Sequence, residues 1–166
     1  MARVLMVIAP NGYQDIEYGD TRTVLEKKGH EIEVASTTAV AQGALGGSVE
    51  TDLMLGEANP GNYDAIVFIG GPGTSLYFQN PKALELAKTF YGSGKVTAAI
   101  CIAPVILANA GILEGKHATV FPSGAEELVR KGAKFTDSKV EIDGNIVTAN
   151  GPNAAAKFGK KIAKLL

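Results

Sequence analysis

The chain has 166 residues, 46% hydrophobic and 20% charged, with a formal net charge of -1 and a single cysteine. That is the composition of one globular domain with a sizeable core, expected to span residues 1–166. No run of lysines or arginines stands out, which argues against nucleic acid or an anionic membrane as the main partner. One cysteine allows no internal disulfide, so a cytoplasmic setting is expected.

The chain opens on "ARVLMVIA", a buried first strand; no small-residue cleavage site follows to suggest a signal peptide. A helix is predicted over residues 15–28, with Ile16, Val24 and Leu25 as its apolar positions and Gly29 as its stop. "HEIEVAS" alternates as a strand with His30 at an exposed entry, and "GALGGSVETDLML" reads as short strands around a Gly46-Gly47 turn. "YDAIVFIGGPG" is a central strand running into glycines, and "PKALELAKTFYGSG" is a helix with Pro81 in its first turn. "KVTAAI" is a buried strand that leads straight into Cys101. A helix from Pro104 to Gly111 and a strand "KHATVF" follow, and the helix "SGAEELVRKG" comes next, with Ser123 as its candidate cap. "KVEIDGNIVTA" is a hairpin about Asp143-Gly144, and "PNAAAKFGKKIAKLL" is an amphipathic terminal helix. The 18 uncharged residues between Lys95 and Glu114 approach membrane-span length, but Pro104, Asn109 and Gly111 interrupt them. They read better as strand, turn and helix.

Strands alternating with helices predict an α/β three-layer sandwich with a mostly parallel sheet. Ligands then bind beyond the carboxyl ends of the strands, in the loops after Ala9, Ile69 and Ile100. Cys101 occupies the third loop. A nucleophile on a sharp strand-to-helix bend needs small residues two places away on each side, and the chain reads Ala99-x-Cys101-x-Ala103. A helix N-terminus there favours a thiolate, and the Ile102 amide falls beside it. The bland alternative is a buried thiol acting as a small hydrophobe.

"GGPGTS" is not a phosphate loop, because neither glycine-rich nucleotide fingerprint is present. Its glycines let backbone approach a ligand closely, with Gly70 as pocket wall and Gly71 as an oxyanion-type donor. Glu17 lies just past the first strand, where a carboxyl can exchange protons with a substrate held at Cys101. A solvated acid in a helical first turn, as expected for Asp15, is its alternative reading. His30 and His117 form no metal set with one cysteine and scattered acids, so no metal and no other cofactor are expected.

Glu17 in "GYQDIE", "KKGHEIEVAS", "YDAIVFIGGPG", "AAICIAP", "VEIDGNIVTANGP" and the terminal helix together resemble the ThiJ/PfpI superfamily, also called the DJ-one family, over nearly the whole chain. The resemblance implies a flavodoxin-like fold, a homodimer or a hexamer of dimers, and a reactive cysteine hydrogen-bonded to the glutamate. The family spans glutathione-independent glyoxalases, deglycases, peptidases, chaperones and oxidative-stress sensors, so membership alone does not decide among activities. The peptidase-like branch has a histidine after the cysteine and an acid from a neighbouring subunit; here Ile102 follows, with Ser75 about where that acid would fall. Another branch places a histidine before a proline, where this chain has Phe121-Pro122, so the resemblance makes Phe121 a second candidate pocket residue beside Gly70. His117 is four residues earlier, about 13 Å along an extended strand. A thiol and a carboxyl without histidine suit thiolate addition to a small reactive aldehyde or a glycated substrate. An oxidisable-cysteine sensor or holding chaperone is the second reading, and a cysteine peptidase the third.

Overall fold

The computed structural model describes residues 1–166. Twelve strands and five α-helices follow one another along the chain. β1 (Arg3–Val7) and β2 (Asn11–Tyr13) precede α1 (Asp15–Lys27). Then come β3 (Glu31–Ser36), β4 (Val40–Gly43), β5 (Ser48–Glu50), β6 (Leu53–Met54) and β7 (Ala65–Phe68). α2 (Pro81–Gly92), β8 (Val96–Ile100) and α3 (Pro104–Asn109) lead to β9 (His117–Ala118) and α4 (Ala125–Arg130). β10 (Lys134–Phe135), β11 (Val140–Asp143), β12 (Ile146–Ala149) and α5 (Ala155–Leu165) complete it.

The central sheet has the order β11-β12-β8-β7-β1-β3-β6, parallel throughout except for the β11-β12 hairpin. Its middle strands β7 and β8 are buried along their whole length because both faces are covered, and Thr97 is the one polar residue in them. One core layer joins Leu5, Phe68, Phe90 and Ile106 on the α2 and α3 side. The other joins Met6, Ile100, Phe158 and Ile162 against α5. This is the mixed α/β sandwich with a mostly parallel sheet expected from the sequence. No helix is long and apolar enough to cross a membrane.

The chain leaves β1 toward β3 on one side, while β7 and β8 lie on the other. The sheet order therefore reverses between β1 and β7, where a doubly wound sheet opens a crevice. β8 is the next strand along. The three loops singled out in the sequence thus converge on one spot.

Several local expectations differ. Ile16 is 45% exposed, so α1 buries Glu17, Thr21 and Leu25 instead. Asp15 is not a solvated acid: its carboxylate accepts the amides of Leu45 (3.1 Å) and Gly47 (2.8 Å), pinning the β4-β5 hairpin to α1. Asp15 also fills the space where side chains at Gly43 and Gly47 would stand. His30 is partly buried, its Nδ1 accepting the Ala2 amide at 3.0 Å. "KHATVF" forms only the two-residue β9, paired with β10 outside the central sheet, and His117 faces Asp143. Ser123 caps nothing; it sits in a 3-10 turn and α4 begins after Gly124. The lysines do form a patch, since α1 and α5 bring six of them around one groove.

Candidate active site

The site starts from the bend after β8. Cys101 has φ 65°, the only non-glycine residue with positive φ in the chain. Such a conformation costs an L-residue about 1–3 kcal/mol and persists where surroundings over-determine it. They do so here. The Cys101 amide donates to Ala149 of β12 at 2.9 Å, and its carbonyl accepts the Phe121 amide at 2.7 Å. Ala99 and Ala103 are both fully buried, as the crowding of the bend requires. The thiol is 8% exposed at the base of an open cavity.

Glu17 reaches it from the first turn of α1. Gln14 caps that helix, its side chain accepting the Glu17 amide at 2.8 Å. The Glu17 side chain is fully buried, and its Oε1 accepts the Gly70 amide at 3.0 Å. Oε2 has no hydrogen-bond partner within ordinary reach, but the Cys101 thiol stands close enough to lower the carboxyl's pKa while its own is raised, the pattern of a thiol facing a carboxylate. In that arrangement the thiol is the proton donor and the ionised carboxylate the acceptor.

Burial pushes the Glu17 carboxyl up to about 7, against the lowering pull of the Cys101 and Gly70 hydrogen bonds. Burial, then the adjacent Glu17 charge, pushes the Cys101 thiol up to about 12, while the amides of Ile102 and Gly71 pull it down. Two touching anions out of water repel, so near neutral pH the pair carries at most one negative charge. The amides of both predicted backbone donors, Gly71 and Ile102, pull the thiol down, but the first proton to leave the pair is the one on Glu17.

The glycines of the β7 loop make this packing possible. A Cβ on Gly70 would lie 2.5 Å from the Cys101 Cβ and 2.7 Å from Glu17 Oε1. Gly71 has φ 121°, and a Cβ on it would run into the Gly12 carbonyl. Gly70 does not line the cavity, contrary to expectation: it stands behind the cysteine, its carbonyl accepting the Gln14 amide at 2.8 Å.

The cavity above the thiol has a volume of about 420 Å³. Phe121, 43% exposed, lines it as predicted, together with Ile102 and Gly71. Gln14, Ser75, Phe78, Ser123 and Pro152 also line it and were not singled out for this role in the sequence. Gln14 alone left a signal, as a polar residue three places before Glu17 at a helix start. Ile102 packs against Gly124 near Val120, so the place after the cysteine is filled by hydrocarbon. Apart from the thiol, no titratable side chain lines the cavity, and no group of three or more His, Cys, Asp or Glu gathers anywhere that could hold a metal.

A sequence model of the DJ-1/PfpI family matches residues 2–165. The chain belongs to the DJ-1/PfpI family. Among curated proteins it is 43% identical to an uncharacterised protein of Methanocaldococcus jannaschii, over 99% of this chain and 82% of that one. It is 32% identical to the deglycase PfpI of Pyrococcus furiosus, over 98% of both chains. Among solved structures, a ThiJ/PfpI domain protein from Brachyspira murdochii superposes with TM-score 0.96 at 34% identity, covering 98% of this chain and 95% of that one. Drosophila melanogaster DJ-1beta follows the same fold with TM-score 0.91 at 29% identity, covering 99% of this chain and 89% of that one. The family's flavodoxin-like sandwich is thus the fold of this chain, and several relatives in it bear the name deglycase.

Proposed function

We propose that this chain is a cysteine-dependent enzyme for small reactive aldehydes or the adducts that release them, with glyoxalase or deglycase chemistry. The observation that carries the reading is the buried Cys101–Glu17 pair, facing an apolar cavity that offers no other proton carrier. Deglycase names among relatives at about a third identity support an enzyme of this kind.

In the singly ionised pair, the Glu17 carboxylate takes the Cys101 thiol proton as sulfur adds to the aldehyde carbon and forms a C–S bond. The carbonyl oxygen takes the proton from Glu17, giving a hemithioacetal. For a 2-oxoaldehyde such as methylglyoxal, the Glu17 carboxylate then removes the proton from the sulfur-bearing carbon. It returns a proton to the neighbouring carbon through an enediol, leaving a thioester. Water cleaves the thioester to a 2-hydroxy acid and restores the thiol. The sum is aldehyde plus water to hydroxy acid, with no outside oxidant or reductant. Ile102 cannot accept a proton, which removes the base that a Cys-His peptidase requires. The test is production of lactate from methylglyoxal without glutathione; absence of any product overturns the proposal.

A second reading, an oxidation sensor, draws on Glu17 Oε2, whose proton can hydrogen-bond a sulfinate at Cys101. Mild peroxide followed by intact-mass measurement separates the two. Addition of two oxygens in a protein with no prior aldehyde turnover favours the sensor; loss of turnover on oxidation favours the enzyme. A homodimer in a cytoplasmic setting completes the proposed picture, and size measurement in solution tests the first part.

A further inference from the structure

The terminal helix carries Lys157, Lys160, Lys161 and Lys164, spaced i, i+3, i+4 and i+7 along one stripe. Its opposite stripe, with Phe158 and Ile162, is buried in the core. The last residues of α1 add Lys27 and its C-cap Lys28. β1 and β12 run in the same direction within the sheet, and each feeds one of these helices back across the same face. Both helices therefore end at the sheet edge opposite Cys101. They approach closely at Gly159, where a Cβ would lie 3.0 Å from the Val24 Cβ.

Next to that contact lies a groove of about 630 Å³ lined by all six of these lysines, nearly half of the chain's thirteen. Only Val24 and Ala163 complete the lining. No carboxylate lies among them, and none of the six joins an ion pair within 4.0 Å; the chain's ion pairs use Arg3, Arg22, Lys82, His117 and Arg130. The whole chain is nearly neutral, so the remaining surface is net acidic and the positive charge is local. Like charges at these helical spacings repel, and a concave wall with apolar patches concentrates their field. Such a groove is built to be filled by negative charge.

The lining also narrows the ligand. It has no aromatic ring to stack on a base and no amide or hydroxyl side chain to read one, which sets it apart from single-strand nucleic-acid grooves. Phe158 and Ile162 of α5 are already buried, and of its large apolar side chains only Leu165 and Leu166 at its end are exposed, too little apolar surface for the helix to lie in a bilayer. Lysines meet phosphate as mobile point charges, without the planar matching of arginine. We infer that the groove between α1 and α5 binds a linear oligophosphate, several condensed phosphates in a row recognised by charge density alone. From Glu17 to Lys27 is about 15 Å along α1, so this site is separate from the cavity over Cys101.

Calorimetric titration of the full chain with inorganic tripolyphosphate at low ionic strength tests the inference. The expected result is one tripolyphosphate per chain, with affinity falling as salt is added. Replacing Lys28, Lys160 and Lys161 by glutamine should weaken it about tenfold or more, and circular dichroism checks that the variant is folded. A control set of equal charge change, Lys88→Gln, Lys131→Gln and Lys139→Gln, should leave affinity within about twofold. No binding, or equal loss in both sets, overturns the inference. So does an oligouridylate of matched charge binding more than about tenfold tighter than tripolyphosphate, which would make the groove a nucleic-acid site. Retention on phosphatidylserine vesicles that tripolyphosphate cannot release would assign it to membranes and overturn it equally.

Discussion

Glu17→Gln separates the electrostatic cost of the buried carboxyl from its packing. Glutamine keeps the oxygen that accepts the Gly70 amide and replaces Oε2 by an amide group of nearly the same size. The carboxyl is raised from the ordinary 4.5 to about 7 in the fold, so the folded chain holds this proton more tightly than the unfolded chain. The stability tied to the protonated form is fully present below 4.5, fades as pH rises toward 7, and is absent above. Integrating over that window, the wild type loses about 2 to 3 kcal/mol from this group between about pH 5 and about pH 8. The variant has no such proton to lose, and the other ionisable groups, common to both proteins, cancel in the comparison. Urea unfolding at the two pH values should therefore show the variant gaining about 2 to 3 kcal/mol on the wild type from the lower pH to the higher. A wild-type-to-variant difference that is the same at both pH values would refute the argument that Glu17 is protonated by burial.

The same titration predicts a rate profile. Aldehyde turnover should rise as pH passes through about 7, where the pair loses its first proton, and initial rates should show that limb missing in any residual activity of Glu17→Gln. Gly70→Ala places a methyl 2.5 Å from the Cys101 Cβ and should destabilise by about 1–3 kcal/mol or more, with turnover lost; urea unfolding and rates check it together. Cys101→Gly should be more stable than Cys101→Ala by about 1 kcal/mol, because glycine adopts φ 65° without strain. Equal stability of those two variants in urea would show that the bend stores no strain.

The sheet and its three functional loops were legible because their signals are local. Apolar runs identified β1, β7 and β8, a glycine turn marked the end of β7, and alanines flanking Cys101 marked the bend before any contact was known. Glu17 was placed beside the thiol by the order of parallel strands, which the alternating pattern implies. What escaped depends on distant partners. Asp15 looks like an ordinary first-turn acid until Gly43 and Gly47 arrive from the hairpin and leave it the space of two side chains. β9 is weak in isolation and exists through β10, sixteen residues further along. Gly70 was misjudged because its glycine signals close approach without saying to what: the neighbours are Cys101 and Glu17, not a ligand. The lysine groove needs two helices from opposite ends of the chain, so neither stretch announces it alone.

The central claim is that Cys101, with Glu17 as proton carrier, performs aldehyde chemistry. Its most direct test is glutathione-independent turnover of methylglyoxal by the purified wild type and by Cys101→Ala, with lactate measured as product and folding confirmed by circular dichroism. The account predicts turnover by the wild type and none above the uncatalysed rate by the variant. Equal turnover by a folded Cys101→Ala protein would contradict it.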